Sequence, residues 1–315
     1  MITEEIPGLE KYPEFAKIFN LVTSQNPLQR KRIVAFLRNQ REDYWIFAEE
    51  LSRMLNQAIL QNEKARIEAA TSYNRMCMDI LREQIRFRKT GAYLISKAET
   101  ANQTIYSQPE VMQYYIVGLL LSYLFWPNHY QMWRFFSDHL SRQSNIANCL
   151  EVGAGHGLFT AETLHRFPSL KMMVIDISET SLNLARKMLS TFHIDSSPVC
   201  FTLGDYLKTQ LTEKFDFIIM GEVLEHVNNA PDFMRRTRQL IQENGTVFLS
   251  TCVNCPALDH VYHFHNVEEI RILLQKAGFS IVRELALPAE AISEAMWEEE
   301  LVTINYCAIL APVTK

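Results

Sequence analysis

From residue 11 to residue 141 the apolar positions recur with the period of an α-helix, and little alternates as a strand would. Asn26-Pro27 has the form of an N-cap followed by a first-turn proline. Ile33, Val34, Phe36 and Leu37 follow at helical spacing. Over 42–65, Trp45, Ile46, Ala48, Leu51, Leu55 and Ile59 share one face, and a further amphipathic stretch spans 66–88. Gly91 and the polar run from Glu99 to Thr104 predict a break. Ser107-Gln108-Pro109-Glu110 reads as a capping box with Ser107 as the cap, opening a helix to Trp126. Pro127 interrupts it, and a last helix carries Met132, Trp133, Phe135, Phe136 and Leu140.

At residue 146 the pattern changes. Short apolar runs at 148–152, 171–175, 198–203, 215–220, 246–251, 279–287 and 305–312 alternate with helical stretches at 159–167, 179–192, 231–241 and 268–277. Ser178 is placed to cap one helix and Pro231 to open another. Asn244-Gly245 turns the chain into a strand, and Gly278 stops the last helix. Strands separated by helices of this length predict an α/β fold whose seven-stranded, mostly parallel sheet is covered on both faces. Such sheets bind ligands at the carboxyl ends of their strands, near the point where strand order reverses.

A chain of 315 residues suggests about two domains. Of its ten glycines, only Gly8, Gly91 and Gly118 fall in the first 150 residues, whereas Gly153, Gly155 and Gly157 crowd into five positions. The expected division is a helical cap over 1–145 that selects the substrate and a ligand-binding domain over 146–315. The apolar share of 48% and charged share of 21% are those of a soluble globular chain. Net charge is −5, without the basic surplus that phosphate contacts require, so no nucleic-acid partner is expected. The most apolar run, Tyr114 to Trp126, is too short to span a bilayer, which takes about 20 residues. The opening MITEEIPGLEK is acidic and lacks the apolar core of a signal peptide. The six cysteines are scattered, unlike a disulfide framework. A cytoplasmic protein with no membrane partner is expected.

Candidate chemistry gathers at strand ends. Glu151-Val-Gly153-Ala154-Gly155-His-Gly157 lies where the first strand should meet the first helix of the sheet. Glycines there let backbone approach a ligand and free the N–H groups of the helix N-terminus. Asp176, followed by Ile177, ends the next strand, and a carboxylate there suits the two hydroxyls of a ribose. Asp205 and Tyr206 end the third, where a carboxylate can accept from an adenine amino group and a ring can offer its face.

This series resembles that of class I S-adenosylmethionine-dependent methyltransferases, over about residues 146–315. It is not the pyrophosphate fingerprint, because the third glycine comes one position early and an acidic residue precedes the loop. The resemblance implies a Rossmann-like fold and S-adenosyl-L-methionine as cofactor. Glu151, Gly153, Ala154, Gly155 and Gly157 would hold the methionine end. Asp176 and Ile177 would hold the ribose, Asp205 and Tyr206 the adenine, and Gly221 and Glu222 would line the same site. Gly221-Glu222-Val223-Leu224-Glu225-His226, and the stretch from His260 to Phe264 before a helix ending Ala-Gly-Phe279, resemble small-molecule methyltransferases of the quinone-biosynthesis type. Helical extensions in this superfamily often mediate dimers, so a homodimer is an expectation carried by the resemblance; no heptad run supports it.

Methyl transfer asks the protein for position and a dry site, and for a base only when the acceptor is protonated. Glu222, Glu225 and His226 are spaced i, i+3, i+4 and on a helix would share a face. His226 is the candidate base, weighed evenly against a histidine that caps the helix or packs on the loop. Glu222, His260 and His263 are the other catalytic candidates. Cys252-Val-Asn-Cys255 with His260, His263 and His265 has the chemistry of a zinc site, yet Pro256 follows directly, and the expected reading is a loop over the acceptor pocket with no metal. The dense aromatics of the first half read mainly as core, with Tyr106, Tyr114 and Tyr115 as candidates to reach a small-molecule substrate. Two other functions stay open: cyclisation of the cofactor's own aminobutyrate arm to azetidine-2-carboxylate with release of methylthioadenosine, and a non-catalytic binding role.

Overall fold

A computed structural model describes residues 6–314. The start of the segment read as no signal peptide, residues 1–5, lies outside the described residues. The first half is helical: α1 (Pro13–Gln25), α2 (Pro27–Leu37), α3 (Glu42–Ala58), α4 (Glu63–Thr90), a single turn α5 (Ala98–Ala101), α6 (Pro109–Phe125) and α7 (Pro127–Ser141). Asn26 caps α2 as expected, its side chain accepting from the Gln29 N–H. Gly91 ends α4 in the left-handed conformation.

Three local expectations fail for identifiable reasons. The helix drawn over 42–65 breaks after Ala58, because the Asn62 side chain caps a new helix at Ala65 N–H; Ile46, counted on its apolar face, is half exposed. The polar run 99–104 is not a break: it continues from α5 into a π-helical turn, Asn102–Tyr106. Ser107 does not cap α6. Gln108 occupies that position with no side-chain capping bond, its amide donating instead to the Gln103 carbonyl, and the Ser107 hydroxyl turns back to Asn102.

The second half is β1 (Asn148–Val152), α8 (Leu158–Arg166), β2 (Lys171–Asp176), α9 (Glu179–Thr191), β3 (Val199–Leu203), β4 (Phe215–Gly221), α10 (Ala230–Leu240), β5 (Ile241–Val253), α11 (Val267–Lys276), β6 (Phe279–Pro288) and β7 (Ile304–Pro312). They form one seven-stranded sheet in the order β3-β2-β1-β4-β5-β7-β6, with β7 antiparallel to both its neighbours. Asn244-Gly245 does not separate α10 from a strand; it lies inside β5, within a bulge where Phe215 pairs with Ile241 and Phe217 with Thr246. Strand order reverses between β1 and β4, so a crevice opens above their carboxyl ends.

The helical half is not packed as a separate body. One cluster of buried residues runs from Phe15 and Tyr44 through Phe136 to Phe159, Phe217 and Phe248 on one face of the sheet. A second cluster joins the opposite face to α10 and α11. The helices are therefore anchored on the sheet by the same apolar burial that folds it. Among the described residues no helix is long and apolar enough to cross a membrane.

Candidate active site

The crevice is a cavity of about 650 Å³ between the ends of β1, β2, β3 and β4 below and α2, α4 and α6 above, within the usual range of about 300–1,000 Å³ for a ligand pocket. Its floor begins at the glycine loop. Gly153, Gly155 and Gly157 all take positive φ (74°, 52° and 77°). Gly157 leaves no alternative: a Cβ there would lie 2.7 Å from Ala185 Cα in α9.

Asp176 stands at the end of β2, buried, facing the cavity. Its Oδ2 accepts from the Gly155 N–H at 3.2 Å and its Oδ1 from the Ser178 N–H at 2.8 Å. Burial pushes its carboxyl up to about 6 against the pull of those N–H groups. Asp205 also lines the cavity, its Oδ1 taking the Leu207 N–H and its Oδ2 lying 2.9 Å from Lys208 Nζ. The Tyr206 ring lines it too, while its hydroxyl pairs with Thr237 and the Arg236 guanidinium lies over the ring. Ala154, Ile177 and Gly221 complete this part of the wall.

Glu151 stands apart from the other residues expected at the methionine end. It does not line the cavity; it is 1% exposed, and its Oε2 accepts from Thr160 in α8. Its Oε1 has no hydrogen-bond partner, and burial raises its carboxyl to about 8. The side chain joins β1 to α8 beneath the loop.

The segment after β4 departs from the helical face expected of it. Glu222 has φ +54°, and its N–H donates to Ser250. A 3₁₀ turn, Leu224–His226, follows. Glu225 therefore points into the interior, fully buried, with Oε2 accepting from Thr251. Glu222 and His226 face the cavity. Glu222 Oε1 has no partner, and burial reinforced by the neighbouring Glu225 holds its carboxyl well above the usual carboxylate range.

Above His226 lies a polar network that joins the two halves of the chain. Asp259, 2% exposed, accepts from the Tyr106 hydroxyl through Oδ2 and from the Tyr115 hydroxyl through Oδ1, each at 3.0 Å. Burial alone would raise this carboxyl, but His226, His260 and the two phenols outweigh it and hold it below the ordinary value. His226 Nδ1 is 3.0 Å from the Tyr106 oxygen and 3.2 Å from the Asp259 carbonyl. Tyr106 has one proton and directs it to Asp259, so Nδ1 must be the donor. Whenever the ring is neutral, Nε2 is the nitrogen that carries no proton. Asp259 was not singled out from sequence; a lone aspartate in an irregular segment carries no periodic or motif signal, and only the fold brings it against tyrosines more than 140 positions away.

The other candidates divide. His260 lines the cavity, its ring edge-on to that of His226. His263 does not line it; it stacks on Tyr93 and its Nε2 meets Asn254 Oδ1. Tyr114 does not line it either: its hydroxyl donates to Asp79 and Arg75 covers its ring. Cys252, Cys255 and His260 come together, whereas His265 pairs with Glu269.

The family model of a methyltransferase domain matches residues 150–247, from β1 into β5. The segment it matches, within the second half of this chain, resembles a class I methyltransferase domain. Over 105 residues the chain is 32% identical to a ubiquinone biosynthesis O-methyltransferase of Glaesserella parasuis, covering 32% of this chain and 44% of that protein. Over 107 residues it is 28% identical to a malonyl-[acyl-carrier protein] O-methyltransferase of Ilyobacter polytropus, covering 34% and 38%. The chain thus spans less than half the length of these curated relatives. An N-methyltransferase of Haemonchus contortus, solved with phosphomonomethylethanolamine and S-adenosylhomocysteine, shares the fold at 13% identity and a TM-score of 0.50, covering 70% of this chain and 61% of that one. The methyltransferase family model leaves the helical half unmatched.

Proposed function

We propose that this protein is an S-adenosylmethionine-dependent methyltransferase acting on a small molecule enclosed between the sheet and the helical cap. The observation that carries the reading is Asp176: a buried carboxylate at the end of β2, steadied by two backbone N–H groups and turned to the cavity beside a left-handed glycine loop. Residues for the whole cofactor stand around it. Asp176 and Ile177 suit the ribose, Asp205 and Tyr206 the adenine, and the loop with Gly221 and Glu222 the methionine arm. Glu222, with an unpartnered oxygen in the cavity wall, is an acceptor for a cationic amine.

When bound, the cofactor supplies a methyl carbon already activated by its sulfonium. The chain's own work is then placement and dryness. Tyr106 and Tyr115 close the roof through Asp259, and Asp259 fixes the His226 tautomer so that Nε2 can take a proton from an acceptor. Beyond His226 the cavity continues between α2, α4 and α6 past Ile33, Phe36, Leu81 and Leu119, apolar walls that suit an acceptor with an apolar body.

The cyclisation reading is favoured by one feature. Glu222 combines a raised carboxyl with a position in the cavity wall, and a proton acceptor there serves an amine nucleophile, whereas an acceptor without a proton to lose needs none. Incubation with S-adenosylmethionine alone separates the two. Methyl transfer predicts no turnover until an acceptor is added. Methylthioadenosine formed at a catalytic rate from the cofactor alone would replace it with cyclisation.

A further inference from the structure

Beside the roof network lies a second cluster that the transferase reading does not use. The ligand-capable atoms of Cys252, Cys255 and His260 lie within 4.8 Å of one another. Cys252 is the fully buried penultimate residue of β5. Asn254, left-handed at φ +46°, turns the chain so that Cys255 comes back over it. The Cys255 N–H donates to the Tyr93 hydroxyl, which holds the turn against the helical half. Cys255 is half-buried and lines the cavity. His260 Nδ1 is 2.6 Å from the Cys255 carbonyl and 3.7 Å from Cys252 Sγ, and a ring nitrogen lies within 4.8 Å of each sulfur.

We propose that Cys255 is a nucleophilic thiol in the cavity wall, open to soft electrophiles and to hydroperoxides, with Cys252 as its resolving partner. Charge supports the geometry. Hydrogen bonds from Cys252 and His260 outweigh burial and bring the Cys255 thiol down to about 6. Burial would lower His260, but the Cys255 sulfur and Asp259 lift it to about 10. The pair is a thiolate facing an imidazolium. Glu225 from the turn after β4 opposes the thiolate, and burial keeps the Cys252 thiol protonated, as a resolving partner should be at rest. Glu222, Tyr93 and Tyr115 are the other titratable groups facing this sulfur, and burial raises that carboxyl and both phenols above their ordinary values.

With a hydroperoxide, the Cys255 thiolate attacks the outer oxygen. An S–O bond forms, the O–O bond breaks, and the departing hydroxide or alkoxide takes a proton. The Cys252 thiol then loses its proton and attacks the Cys255 sulfur; the S–S bond forms and water leaves. Two thiols supply the two electrons that reduce the peroxide. This site does not depend on the transferase reading, because neither step uses the cofactor.

The test is alkylation of the full-length protein by iodoacetamide from pH 5 to 9, followed by peptide mass spectrometry. Cys255 should already be at half its maximal rate near pH 6. Its profile in His260→Gln should move towards that of an ordinary thiol, near pH 8.5. Exposed Cys200 is the internal comparator. Hydrogen peroxide at one equivalent should remove two hydrogens and join Cys252 to Cys255, and Cys252→Ser should stop at the sulfenic acid. An ordinary-thiol profile for wild-type Cys255 overturns the proposal without recourse to any variant. So does oxidation that falls first on Cys200, or a Cys255 that reacts only after a chelator has removed a stoichiometric metal.

Discussion

Removing the Asp259 carboxylate should destabilise the protein and loosen the cap from the sheet domain at once. The side chain is 2% exposed and accepts from two phenols, buried Tyr115 and half-buried Tyr106, while its charge faces His226 at 3.4 Å. Hydrogen bonds to a charged group contribute roughly 1.5–3 kcal/mol each, and a buried partner left unpaired adds its own penalty. Asp259→Ala should therefore cost about 3–5 kcal/mol. In Asp259→Asn the amide oxygen can accept from one phenol and the amide nitrogen can donate to the other. Only the charge facing His226 is lost, and the cost should be about 1–2 kcal/mol. The pH dependence has a definite sign. Asp259 has a depressed carboxyl in the folded state, so its contribution is present above the unfolded value near 4 and disappears as pH falls through the folded value. Urea denaturation of the three proteins at pH 7, then at steps down to pH 3, measures both. A cost below about 1 kcal/mol for Asp259→Ala, or a gap between wild type and Asp259→Asn that persists unchanged to pH 3, would refute the network as drawn.

The glycine loop offers an internal contrast. Gly157→Ala places a Cβ 2.7 Å from Ala185 Cα at positive φ and should lower stability by roughly 2–4 kcal/mol, whereas Gly155→Ala, with open space around it, should cost only the left-handed penalty of about 1–2 kcal/mol; equal costs in denaturation would mean the loop does not press on α9. The raised carboxyl of Asp176, near 6, makes cofactor affinity pH-dependent. Ribose hydroxyls donate best to the ionised form, so affinity should fall about tenfold from pH 7 to pH 5, and a flat binding profile would contradict the placement. His226→Gln should lower turnover by about 10²–10⁴-fold with the Kd for S-adenosylmethionine unchanged; parallel loss of both in stopped-flow and equilibrium measurements would make the histidine structural.

The sheet and its glycine loop were legible in the sequence because their signals are local. Runs such as Lys171–Asp176 and the Ser178 cap announce themselves within a few residues, and the Gly153–Gly157 spacing marks the turn between β1 and α8. The helical half was legible as helices but not as an assembly. Ser107 has the form of a cap, yet the π-helical turn before it redirects the backbone and gives that position to Gln108. Spacing alone put Glu222, Glu225 and His226 on one face; the left-handed Glu222 and the 3₁₀ turn send Glu225 inward instead. Of the three tyrosines, Tyr106 and Tyr115 reach Asp259 and Tyr114 turns to Asp79, a division set by which carboxylate each meets across the fold. Asp259 itself acquires meaning only from partners distant in the chain.

The central claim is that the crevice above β1 and β2 is built for S-adenosylmethionine, with Asp176 on its ribose. Calorimetric titration with S-adenosylhomocysteine tests it without any knowledge of the acceptor. The account predicts one site per chain, and a loss on the order of 10–100-fold in affinity for Asp176→Ala, the equivalent of about 1.5–3 kcal/mol. Absence of binding to the wild-type protein, or an Asp176→Ala variant that binds as tightly as wild type, would contradict it.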